Sequence, residues 1–81
     1  MELKDTIDGM IADNYKERFK AEYYQTKIRY EKLHKMIIKY EAGTLEFKPS
    51  TSLSCLKQQL AGMGQYLYIL ELRAEIEHID L

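Results

Sequence analysis

Two Glu-x-x-His pairs, Glu31–His34 and Glu75–His78, are the residues whose types and spacing come nearest to a catalytic centre. On a helix, a carboxylate and an imidazole three residues apart share one side, and ferritin-like bundles use such pairs to hold a di-iron centre. That chemistry needs both pairs at one level. If the chain turns back near residues 47–48, residue i of the first half lies opposite about 96 − i of the second. His34 then lies near Gly62 and His78 near Arg18, about 24 Å apart along the hairpin. Both pairs also fall off the main apolar seam, and the inward carboxylates that would complete the centre are missing, so no metal site is expected. Cys55 is the only cysteine, which excludes an internal disulfide or a Cys-based zinc site. It has no basic partner nearby in sequence and is expected as a small buried hydrophobe. No Ser stands in a G-x-S-x-G setting, and no Walker loop or dinucleotide fingerprint occurs. Gly62-Met63-Gly64 falls inside a helical pattern and cradles no phosphate by itself. The expectation is a protein that is not an enzyme and uses no cofactor.

A second chemistry is recognition of an anion. Residues 14–42 hold five of the seven tyrosines and eight Lys or Arg against four Glu, a net charge of +4. Residues 1–13 have one Lys against four acids, and residues 43–81 have three basic against five acidic groups, so a total of −1 conceals a basic middle. Tyrosine rings stack on bases and cations hold phosphates. Tyr23, Tyr30 and Tyr40 lie on the main seam and are assigned to the core. Tyr15, Arg18, Lys20, Tyr24, Lys27 and Glu31 remain as the candidate binding face. Duplex DNA is disfavoured, because there is no helix-turn-helix spacing and no overall basic charge. A small anionic ligand such as a signalling nucleotide, held between protomers, fits the modest charge, and an acidic protein surface fits equally well.

The stretch that positions these groups runs from Asn14 to Ala42 without Gly or Pro. Phe19, Tyr23, Thr26, Tyr30, Leu33, Ile37 and Tyr40 recur at steps of four and three, the spacing of one helical side. Asn14 with Glu17 resembles a capping box, and Gly43 suits the left-handed residue that ends a helix. Residues 43–52 form a connection in which Leu45 and Phe47 are expected to tuck under the open end of the core. Pro49 blocks helix continuation, and Ser50 or Ser52 can cap a second helix over 53–79. Its stripe is Leu53, Leu56, Leu60, Met63, Leu67, Leu70 and Ala74. Gly62 and Gly64 each cost about 1 kcal/mol relative to Ala, so a close neighbour is expected there. Residues 2–12 form a short amphipathic arm with Leu3, Ile7, Met10 and Ile11 on one side.

The fold class that follows is all-α: an antiparallel hairpin of two long helices, 14–42 and 53–79, with an N-terminal arm over 1–13. Tyr66, Ile69, Leu72, Ile76 and Ile79 form a further stripe, and Tyr24, Ile28 and Ile38 lie off the first helix's seam. A lone hairpin would leave these in water, so a homo-oligomer, most simply a dimeric four-helix bundle, is expected with the Tyr66–Ile79 stripe as its interface. With 81 residues, 46% hydrophobic and 31% charged, the chain is one small domain. No run approaches the ~18 apolar residues of a membrane span, and no basic leader is visible, so a cytosolic protein without membrane partners is expected.

Residues 14–33, NYKERFKAEYYQTKIRYEKL, and 56–77, LKQQLAGMGQYLYILELRAEIE, with the GTLEFKP run between them, resemble a group of very small, uncharacterised proteins of bacteriophages and prophages related to an open reading frame of crAss-like phages. The resemblance covers about residues 14–79 and carries over no site residues. It implies an accessory protein acting in the host bacterial cytoplasm, where many small phage proteins block host defences by binding a defence protein or its signal. A self-assembling structural or regulatory protein of a phage is the alternative.

Overall fold

Without Gly or Pro to interrupt it, the basic stretch forms one 28-residue helix, α1 (Tyr15–Ala42), in a computed structural model that describes Leu3 and residues 14–81. The Asn14 side chain accepts hydrogen bonds from the backbone N–H groups of Lys16 (2.8 Å) and Glu17 (3.2 Å), satisfying two donors that a helix start leaves orphaned. Gly43, at φ 78°, ends the helix. Its N–H donates to the Tyr40 carbonyl and that of Thr44 to the Lys39 carbonyl, the paired closure for which glycine is favoured. Ser52 caps the second helix, α2 (Leu53–Ile76, 24 residues), its hydroxyl accepting from the Cys55 N–H at 3.2 Å. The helices pack against each other as a hairpin, and no strand occurs among the described residues.

The core follows the two stripes. Phe19 and Tyr23 of α1 meet Leu67, Leu70 and Ala74 of α2, with Tyr24 and Tyr30 packed against them. Towards the connection, Ile37 and Leu56 are buried. A Cβ on Gly64 would come within 3.3 Å of the Tyr30 ring, so this glycine admits a bulky neighbour as its sequence context suggests. Gly62 differs: among the described residues nothing lies within 4 Å of where a Cβ would stand.

Several expectations are corrected. Tyr40 is 38% exposed rather than part of the core. A straight helix drifts about 20° per heptad from a 3.5-residue repeat, so three heptads beyond Phe19 the stripe has turned towards solvent. Phe47 is 59% exposed. A bend at Glu46–Phe47 breaks the alternation of the connection, leaving Leu45 half-buried and Phe47 outside. Cys55 is exposed, because it stands about 100° around the helix from the buried Leu56. Ala21 and Ile28 are buried although they lie off the main seam.

The largest correction is at the end of α2. The helix stops at Ile76 instead of 79, and His78 takes the left-handed conformation (φ 57°). The chain then reverses so that the Ile79 N–H donates to the Ala74 carbonyl at 2.8 Å. Ile79 thereby joins the core cluster at 6% exposure and is withdrawn from the proposed oligomer stripe. Its place in the 3–4 pattern was misleading because the pattern outlasts the helix. Of the N-terminal arm, Leu3 is half-buried, whereas Ile7, Met10 and Ile11 lie outside the described residues.

Candidate functional site

The open end of the hairpin, away from the connection, brings the start of α1 beside the end of α2. Tyr15, Arg18, Phe19 and Glu22 from α1 and Tyr66, Leu70 and Arg73 from α2 line an open groove of about 320 Å³. Phe19 and Leu70 are core residues and form its floor. Arg73 lies over the Phe19 ring, its guanidinium carbon 5.2 Å from the ring centroid, within cation–π range. The Tyr15 ring tilts against Phe19 with centroids 6.2 Å apart.

One wall is held by a three-residue network. The Tyr15 hydroxyl donates to Glu77 Oε1 (2.8 Å) and accepts from Arg73 Nη2 (2.7 Å), while Arg73 Nε donates to Glu77 Oε2 (3.1 Å). Hydrogen bonds from Tyr15 and then Arg73 hold the Glu77 carboxyl below the usual carboxylate range. The same bond to Glu77 raises the Tyr15 phenol above its ordinary value. On the opposite wall the Tyr66 hydroxyl donates to Glu22 Oε1 at 3.3 Å. Burial chiefly, and then the Glu22 charge, raise the Tyr66 phenol. Arg18 forms no ion pair among the described residues, so its guanidinium is available at the rim.

The six residues predicted from sequence are thus divided. Tyr15 and Arg18 border this groove. Tyr24, Lys27 and Glu31, with Ile28, line a separate depression of about 200 Å³ elsewhere on α1. There the Tyr24 hydroxyl donates to the backbone carbonyl of Leu81, Lys27 Nζ stands 5.8 Å from the Tyr23 ring centroid, and Tyr24 meets Tyr23 edge-on at 5.0 Å. Tyr24 therefore also pins the returning C-terminal segment. Lys20 borders neither concavity and sits 4.0 Å from Glu17. Sequence reasoning missed Arg73 and Glu77. The available signal was their i, i+4 spacing at the end of α2 facing the tyrosine-rich start of α1.

A third basic surface, lined by Lys32, Lys35, Met36, Lys39, Leu45 and Phe47, adjoins the connection. His34 stacks on Tyr30 with ring centroids 6.1 Å apart, and no group of three or more His, Cys, Asp or Glu able to hold a metal occurs among the described residues.

By fold the described residues form an all-helical hairpin with an open groove at one end, lined by two arginines, aromatic rings and Glu22. Residues 13–76 match the model of the Sequestin family, and the chain belongs to that family, whose name points to binding or sequestering. No curated protein and no solved structure matches the chain. No helix among the described residues is long and apolar enough to cross a membrane.

Proposed function

We propose that this protein is a small non-enzymatic binding protein that sequesters a small anionic ligand, a signalling nucleotide, at the open end of its hairpin. In this reading it is a phage-encoded counter-defence protein of the host bacterial cytoplasm, acting as a homo-oligomer and removing a host immune signal without chemistry. The observation that carries the reading is the groove itself. Two guanidinium groups, Arg18 and Arg73, and the rings of Tyr15, Phe19 and Tyr66 converge on one open volume, the mixture of charge and π-faces that suits phosphate and base together. Ligand sites of this kind range upwards from about 300 Å³. Glu22 and Glu77 beside the cations oppose dense anions and favour a ligand of modest charge.

Calorimetry against a panel of linear and cyclic nucleotides tests this. Stoichiometric binding that is lost in Arg18→Glu and in Tyr66→Ala, with helical content unchanged, is the expected result. Absence of binding across the panel, or binding indifferent to both substitutions, overturns it. In the latter cases a host defence protein becomes the target to seek by co-purification. The exposed stripe of Tyr66, Ile69, Leu72 and Ile76 favours a second reading, a self-assembling structural or regulatory phage protein. That reading requires association to persist in Arg18→Glu and the phage phenotype to be unaffected.

A further inference from the structure

The outward face of α2 carries a pattern that the hairpin does not use. Cys55, Gln58, Gly62, Gln65, Ile69, Leu72 and Ile76 follow one another at steps of three and four without a break. Every one of them is exposed, and none is charged. Ile69, Leu72 and Ile76 supply large apolar groups at that spacing, and the rest of the face is free of charge, so another helix can pack along it. Gly62 adds an independent sign. It costs about 1 kcal/mol in a helix, yet among the described residues nothing lies within 4 Å of where its Cβ would stand.

The seam is graded in size. Its first half, Cys55 to Gly62, is small or polar; its second half, Ile69 to Ile76, is large and apolar. Parallel pairing would set large on large at one end and leave a void at the other. Antiparallel pairing about Gln65 lays the large half of each helix on the small half of the other and keeps the helices evenly spaced. In that register Gly62 faces Ile69 of the second copy, Cys55 faces its Ile76, and the two Gln65 amides, each both donor and acceptor, meet at the two-fold axis.

We infer that a second copy of this chain covers this face, α2 packing antiparallel on α2 around Gln65. The pairing has a consequence for the groove, and here the inference rests on the function proposed above. Tyr66 and Arg73 lie on one flank of the seam, on the side that faces the groove. A two-fold axis between antiparallel helices brings like flank to like flank. The two grooves therefore open on the same side of the dimer, with the Tyr66 edges adjoining at its centre.

Light scattering reads the association directly, without any ligand. A dimer at micromolar concentration is expected, and Gly62→Glu should be monomeric with its helical circular dichroism intact, because that position has open space around it. Leu72→Glu provides a second variant of the same kind. Mild oxidation reads the orientation. Two Cys55 residues lie about 32 Å apart in the antiparallel pair, so the natural chain should not cross-link, whereas Ile76→Cys should give a covalent dimer through Cys55. A monomer at these concentrations, a dimer that survives both glutamate variants, or a Cys55–Cys55 disulfide in the natural chain overturns the proposal.

Discussion

Ile76 and Ile79 stand three residues apart on one sequence stripe, but the structure assigns them opposite fates, and replacing each by Ala separates them. Ile79 is 6% exposed within the Phe19–Tyr23–Leu67–Leu70–Ala74 cluster; Ile76 is 67% exposed. Ile→Ala removes three carbon groups, and at about 0.8 kcal/mol for each buried group the transfer loss at Ile79 is about 2.4 kcal/mol. A residual cavity adds to this, though a site near a chain end can partly collapse, so a total near 3 kcal/mol is expected. At Ile76 about two thirds of the side chain is already in water, which limits the loss in the monomer to under about 1 kcal/mol. Domains of this size have roughly 4–12 kcal/mol to lose, so the first substitution lowers the urea midpoint visibly and the second barely does. Urea titrations followed by circular dichroism should be run at several protein concentrations. The Ile79→Ala loss should be independent of concentration. The Ile76→Ala loss should fall to its small monomer value on dilution and grow where α2 pairs with its copy. Equal losses at the two positions in dilute solution would refute the reversal at His78, and with it the withdrawal of Ile79 from the surface stripe.

Other consequences can be checked alongside. His78→Gly should stabilise the chain by about 1 kcal/mol in thermal or urea melts, since a left-handed residue with a Cβ is strained and glycine is not. Glu77 has a carboxyl pKa lowered in the folded state, so its contribution is present above the ordinary carboxylate range and is lost as pH falls through its depressed value. Glu77→Gln should therefore be less stable than the natural chain near neutrality, with the difference closing in acid, as read by urea midpoints across that range. Cys55 is exposed in the single chain and should react with a thiol reagent at the rate of a free thiol in dilute folded protein, slowing where the chain dimerises. Gly62→Ala should raise dilute-solution stability by about 1 kcal/mol, whereas Gly64→Ala should gain less, because its Cβ meets Tyr30 at 3.3 Å.

The hairpin was legible because several local signals agreed. Asn14, Gly43 and Ser52 are caps by side-chain chemistry or backbone freedom, and each acts as its type suggests. The two stripes pointed at each other without need of a structure. What periodicity could not show was where it ceased to apply. A stripe says which residues share a side if the helix continues and stays straight. Tyr40 left the core through gradual drift, and Ile79 entered it through a helix that ended early. The reversal at His78 gave no warning, because histidine is an uncommon residue for a left-handed terminus and nothing in its neighbours marks a stop.

The binding face was only half legible for a related reason. Sequence reasoning could sort the cations and tyrosines of α1 by side, but a groove between helices takes a wall from each. Tyr15 and Arg18 were found because they lie outside the α1 seam; Arg73 and Glu77 were missed because their role depends on which end of α2 meets Tyr15. Tyr66 lies on the stripe expected to meet another chain, and it faces both ways: its hydroxyl meets Glu22 across the groove, while the residue remains 41% exposed beside the uncharged seam. That double position links the two inferences made from this fold. If α2 pairs with its copy, Tyr66 is the groove residue nearest the two-fold axis, so occupancy of the one and stability of the other are coupled. A ligand that contacts both Tyr66 rings must then tighten the dimer, and by linkage dilution must weaken its binding.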